Sequence, residues 1–258
     1  MVKIMGKIII IAVMASPLAA WAQSAPSQPA TEAGRRIQTL IAANDRSETA
    51  RESDRTRLPV QTMEFFGLEP GMKVIEFIPA GGYITEILAH ALAGDGELHL
   101  LGYGANAAAD YQSRGMKHVQ AIALDTMTLS PSGQSGIFVL EKIDVPVKDA
   151  DMFLTFRNLH NIAENTRPLL HKAVFNMLKP GGIYGVVDHT KRHNEPDTQE
   201  TWRRLDPVQV IKEVEAAGFE FVDYSALHYR PDDELKYDTT RPSINRYSDR
   251  FTLKFRKP

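Results

Sequence analysis

Along most of this chain, short β-rich runs alternate with stretches of helical period. Lys73-Val74-Ile75-Glu76-Phe77 follows the turn Pro70-Gly71 and reads as a strand. The loop Pro79-Ala80-Gly81-Gly82 then leads into an apolar helix expected from about Tyr83 to Ala93. Gly94-Asp95-Gly96 turns the chain into a second strand, Glu97 to Leu101, and a third is expected near Val119 to Leu124. Asp151 to Phe156 reads as a fourth strand, followed by a helix from about Pro168 to Leu178. Pro180-Gly181-Gly182 introduces a fifth strand, Ile183 to Val187. A helix from about Pro207 to Ala217 ends on Gly218 as its C-cap, and two last strands cover Phe219 to Ser225 and Phe251 to Phe255. Strands alternating with helices predict βαβ units and a mostly parallel sheet in one α/β domain.

The first seventy residues follow a different pattern. A helical arm is expected from about Glu32 to Ala43, and Pro59 opens a short amphipathic helix through Phe65 and Phe66 that Gly67 ends. Between them, Asp45 to Arg57 has almost no apolar residues. It reads as a solvated helix or loop held by local ion pairs, in preference to a binding arm. Ser24 to Thr31 is rich in Pro, Ser and Ala, so residues 23–31 are expected to be a disordered linker.

Residues 1–22 carry the three parts of a secretory signal in order. Lys3 and Lys7 supply positive charge, Ile8 to Ala15 is apolar, and Ala20-Trp21-Ala22 offers small residues for cleavage after Ala22. The apolar run is shorter than the ~20 residues that span a membrane, and Pro17 stands near its end. A periplasmic or secreted protein without a membrane span is therefore expected, its domain covering residues 32–258.

Composition narrows the classes of function. At 258 residues and 43% hydrophobic content the chain can bury a sizeable core. Its 30 basic against 32 acidic residues lack the basic excess that nucleic-acid binding usually shows, so no nucleic-acid partner is expected. The absence of cysteine excludes disulfides, a thiol nucleophile and thiolate metal sites.

The local chemistry lies where strands end. Strand, acidic residue, glycine turn and helix follow one another from Lys73 to Tyr83. In open α/β sheets ligands bind beyond the carboxyl ends of the strands, where glycine allows close backbone approach and a helix N-terminus offers free N–H groups. Asn158-Leu159-His160-Asn161 comes directly after the fourth strand.

The succession VIEFIPAGGYITEIL, LTFRNLHN and LKPGGIYGVVDH, with the ending DRFTLKFRKP after EVEAAGF, resembles class I S-adenosylmethionine-dependent methyltransferases over roughly Leu58 to Pro258. More narrowly, it is similar to an exported bacterial group of predicted methyltransferases. The resemblance implies a Rossmann-like, doubly wound seven-stranded sheet, mostly parallel with an antiparallel last strand, behind extra N-terminal helices. It implies S-adenosyl-L-methionine as cofactor and a small molecule as methyl acceptor. By the same resemblance, Glu76 is the acid ending the first strand and Gly82 the last glycine of the loop under the methionine part, with Ala80 and Gly81 beside it. Tyr103 stands at the end of the second strand, Asp125 where an acid meets the adenine, and Asn158 and His160 where donor meets acceptor, Asn158 as orienter and His160 as base.

The chain departs from the family pattern at several points. Ile78 and Ala80 occupy the first two glycine positions, Pro79 removes a backbone donor, and Gly102-Tyr103-Gly104 stands where an acid usually grips the ribose. A catalytically inactive fold reused to bind a ligand or partner is therefore the alternative. Read from the residues alone, Glu76 equally serves as a turn cap, Asp125 as a loop cap, and His160 as a packed histidine. His189 and His193, with His160 and Asp188, would make a metal site only in the right geometry. No metal is expected. The segment Glu195 to Arg204 reads as a solvated connection with one buried Trp202 rather than a lid. The long loop from Tyr229 to Ser248 has no assigned role.

Overall fold

The computed structural model describes residues 28–258. The expected signal segment and all of the expected linker except its last residues lie outside that range. At its end, the Ala30 and Thr31 backbone N–H groups both donate to Glu64 Oε1 (2.6 and 3.0 Å). Thr31 then caps α1, Glu32–Ile41, by accepting from Gly34 N at 2.9 Å. α2, Glu48–Arg57, is capped by Ser47, and α3, Pro59–Phe66, starts on proline and ends on left-handed Gly67.

Seven strands form the main sheet. They are β1 (Lys73–Phe77), β2 (Glu97–Leu101), β3 (Val119–Ala121), β6 (Ala150–Phe156), β7 (Leu178–His189), β8 (Glu220–Ser225) and β9 (Arg250–Arg256). Their order is β3-β2-β1-β6-β7-β9-β8, and β9 alone runs antiparallel to its neighbours. The expected fold class is the observed one. β4 (Met127–Pro131) and β5 (Phe138–Ile143) form a separate antiparallel hairpin.

Alternation along the strands divides the core between the two faces. Ile75 and Phe77 of β1 join Phe153, Tyr184 and Phe255 in one cluster, beneath α6 (Arg167–Met177) and α7 (Pro207–Ala216). Val74 joins Leu98, Leu100 and Leu154 in the other, with α1, α3 and α4 (Tyr83–Ala91). The second face packs closely because Gly185 has no side chain: a Cβ there would stand 2.6 Å from Leu154 and 2.8 Å from Phe66. Every βαβ connection leaves a strand at the same edge of the sheet, which gathers the loops after β1, β2 and β6 together.

The structure adds to the expected elements. The third strand ends at Ala121, and Leu124–Thr126 is a 3₁₀ turn. β7 begins at Leu178, so Pro180-Gly181-Gly182 lies within it as a bulge with Gly181 at φ 78°. α5, Ala105–Ser113, follows β2. Among the described residues, no helix is long and apolar enough to cross a membrane.

Candidate active site

The strand order reverses between β1 and β6, the place where open α/β sheets hold ligands. Three non-glycine residues at the carboxyl ends of adjacent strands have left-handed backbone there: Ile78 after β1 (φ 50°), Tyr103 after β2 (φ 54°) and Arg157 after β6 (φ 58°). Each costs roughly 1–2 kcal/mol relative to ordinary backbone, and β-branched Ile78 is the most strained. Such strain concentrates at ligand sites, where the surrounding structure holds it in place. Here the restraint is visible. Ile78 N donates to Leu101 O at 2.8 Å, and Asn158 Nδ2 donates to Phe77 O and Ile78 O at 3.1 and 2.9 Å.

The loop so held forms one wall of a 510 Å³ cleft. Gly82 (φ 74°) is the N-cap of α4 and supplies no side-chain cap, which leaves first-turn N–H groups for a ligand. Nothing lies within 4 Å of where a Cβ on Gly81 or Gly82 would stand, so the backbone there faces open space. Ala80, Gly81, Gly82 and Asn158 line the cleft together with Glu76. Glu76 is 4% exposed and accepts a hydrogen bond from Thr85 Oγ1 at 2.8 Å. Burial pushes its carboxyl up to about 8, so it is neutral at pH 7.

The other expected cofactor residues lie elsewhere. Tyr103, 68% exposed, borders a second hollow of 210 Å³ with Leu124 and Met127. Ile78 and Met127 meet over Gly102, where a Cβ would stand 3.4 Å from Ile78 Cγ1 and 2.8 Å from Met127 Cε. Ile78 lines the main cleft and Met127 the second hollow. Asp125 sits exposed in the 3₁₀ turn and lines neither; its backbone carbonyl accepts from Lys142 Nζ at 3.4 Å.

His160, expected as the base, does not line the cleft. The left-handed turn at Arg157 leads into a 3₁₀ turn over Leu159–Asn161 that buries the imidazole against β7, leaving it 6% exposed. His160 Nδ1 donates to Asp188 Oδ1 at 2.6 Å. Asp188, fully buried, also accepts from the His160 and His189 backbone N–H groups at 3.2 and 2.8 Å. His189 Nδ1 bonds Ser248 Oγ at 2.9 Å. Burial, then repulsion from His160 and Arg250, holds His189 well below its usual range and therefore neutral.

His160, Asp188 and His189 offer ligand atoms within 4.8 Å of one another, though each already has a protein partner. His193 does not join them and bonds Asp206 Oδ2 at 2.8 Å. Trp202 packs on Gly136 and edge-on to the His160 ring. Its segment thus packs against the turn of the β4–β5 hairpin and does not line the cleft.

Two parts of the cleft were not foreseen. The charged segment before Arg57, read as merely solvated, forms α2, and Ser47, Ala50, Ser53 and Arg57 line the cleft. Arg46 fixes it by donating to both Asp54 oxygens (2.8 Å each) and to Glu86 Oε2 (3.0 Å). Tyr83 Oη donates to Asp54 Oδ1 at 2.8 Å. Arg157 and Arg246 are the other unforeseen residues. Arg246 comes from the long late loop and has left-handed backbone (φ 73°), a signal that no sequence pattern carries.

No family model matches the sequence, and no curated protein does. Solved structures do match the fold. A SAM-dependent methyltransferase from Aquifex aeolicus aligns over 86% of this chain and 97% of its own, at 15% identity and a TM-score of 0.52. The 1,6-didemethyltoxoflavin-N1-methyltransferase of Burkholderia thailandensis, solved with 1,6-didemethyltoxoflavin and S-adenosylhomocysteine bound, aligns over 87% of this chain and 88% of its own, at 14% identity and 0.53. The [4+2]-cyclase SpnF aligns over 88% and 94%, at 19% identity and 0.56. The chain thus has the fold of class I SAM-dependent methyltransferases. A cyclase among these structures shows that the fold alone does not fix the reaction.

Proposed function

We propose that the chain is an S-adenosylmethionine-dependent methyltransferase acting on a small molecule bound in the cleft between the ends of β1 and β6. The observation that carries this reading is the open, uncapped glycine turn at the start of α4, beside a buried carboxyl, at the point where the strand order reverses. When bound, S-adenosylmethionine supplies an electrophilic methyl group. The residues present fit its methionine end: Ala80, Gly81 and Gly82 offer backbone, and Glu76 offers a carboxyl. They fit its ribose less well, since Tyr103 brings no acid. Asn158 acts by holding the Phe77–Ile78 carbonyls, and catalysis is mainly positioning of acceptor and methyl group in line. His160 takes no step in this reading, because it faces Asp188 and not the cleft.

The second reading, ligand binding without transfer, is favoured by Tyr103, which brings no acid and borders the second hollow instead of the cleft. Isothermal titration of the purified protein with S-adenosylhomocysteine separates the two. Saturable, stoichiometric heat is expected, and Gly82→Val, which puts a strained side chain into the cradle, should weaken binding at least tenfold. No heat at millimolar ligand would exclude the methyltransferase reading.

A further inference from the structure

Four arginines from three distant parts of the sequence meet at the cleft. Arg57 ends α2, Arg157 follows β6, Arg246 precedes β9 and Arg250 opens it. Arg57, Arg157 and Arg246 line the main cleft, and Arg57, Arg157 and Arg250 surround a small hollow next to it. Among the described residues none of the four pairs with a carboxylate, and residues 1–27 contain no Asp or Glu to do so. The Arg57 guanidinium stacks on the Tyr83 ring, 4.4 Å from its centroid. Arg250, 4% exposed, donates through Nη2 to Arg246 O at 2.9 Å, and its buried Nε has no partner.

These cations crowd one another. Burial pushes Arg57 down to about 10, with repulsion from Arg157 next; Arg250 falls to about 9 for the same two reasons. Burial lowers Arg157 as well. Asp188 acts on Arg157 and Arg250 only from beyond ion-pair distance, and the acids that line the cleft do not answer this charge. Glu76 is neutral near pH 7, and Glu86 is bound to Arg46. Desolvated guanidinium groups without anions are costly, and proteins keep them where an oxyanion completes the site.

We propose that Arg57, Arg157 and Arg246, backed by Arg250, form an oxyanion-binding site in the cleft, which takes a ligand with a carboxylate or phosphate at one end. Tyr83, Ile84, Tyr111 and Phe156 line the same cleft, so an apolar or aromatic body suits the rest of the ligand. This inference rests on the cleft being the ligand site, and it stands or falls independently of whether S-adenosylmethionine is the cofactor. The anion belongs either to the acceptor or to the amino-acid end of the cofactor.

The test is calorimetric titration of the protein with inorganic phosphate at low ionic strength, alone and with S-adenosylhomocysteine or methylthioadenosine present. Saturable phosphate binding is expected, weakened at least fivefold in each of Arg157→Gln and Arg246→Gln and weakened by added salt. Without phosphate, Arg157→Gln should melt at the same temperature or higher, because a crowded charge is relieved; a merely structural arginine would give a lower one. Binding retained with S-adenosylhomocysteine supports the site and assigns the anion to the acceptor. Binding blocked by S-adenosylhomocysteine but not by methylthioadenosine supports the site and assigns it to the cofactor carboxylate. No phosphate binding, or binding unchanged in folded variants, overturns the proposal.

Discussion

Asp233→Ala is expected to remove about 3–5 kcal/mol of folding stability, the usual result of leaving one member of a buried ion pair uncompensated. Arg204 is the largest fully buried side chain among the described residues, and its two terminal nitrogens meet the two Asp233 oxygens at 2.9 and 3.0 Å. The guanidinium also donates to Tyr237 O and Thr190 O. Asp233 accepts from Leu235 N and Asp249 N as well, at 3.0 and 2.7 Å. A single carboxylate thus joins the start of the late loop to the start of β9, and Arg246 lies between. Removing it orphans a charge and two backbone donors in one step. Equilibrium urea unfolding measures the loss, and a change under 1 kcal/mol would show that the pair is not holding the loop. Arg203→Ala, at the half-buried partner of Asp238, serves as the mild comparison.

Glu76→Gln is expected to flatten the pH dependence of stability between about pH 5 and pH 8. Folded, Glu76 holds its proton up to about 8; unfolded, it releases it near 4.5. Between those values the folded chain binds one more proton than the unfolded chain, so stability falls as pH rises through the window. At about 1.4 kcal/mol per pH unit the wild-type protein should lose roughly 3 kcal/mol more than the Gln variant from pH 5 to pH 8. Gln keeps an acceptor for Thr85 Oγ1 at nearly the same volume. Unfolding curves at both pH values give the difference directly, and parallel profiles would mean that Glu76 is ionised in the folded protein.

Much of this architecture was legible because βαβ units announce themselves through period. β1 and β2 lie where their β-rich runs stand, and α3 starts at Pro59 and ends at Gly67 as proline and glycine direct. The β4–β5 hairpin was hidden. Met127-Thr128-Leu129-Ser130-Pro131 is half-exposed, with a proline at its end, and the turn after it has two glycines that read as loop. The glycine turn and Glu76 could be found because one contiguous segment carries them. Placing His160 needed the left-handed backbone at Arg157 and the 3₁₀ turn after it, which no sequence pattern carries. The arginine cluster needed tertiary structure outright, since α2, β6 and the late loop each contribute cations that look solvated in isolation.

The central claim is that the ligand site lies at the ends of β1 and β6. Amide hydrogen exchange with and without S-adenosylhomocysteine tests it most directly. Ligand-dependent protection is expected to be confined to residues 76–86, the turn after β6 at Arg157 and Asn158, and the face of α2. Protection confined to the region of His160, His189 and Trp202, or none at saturating ligand, would contradict it.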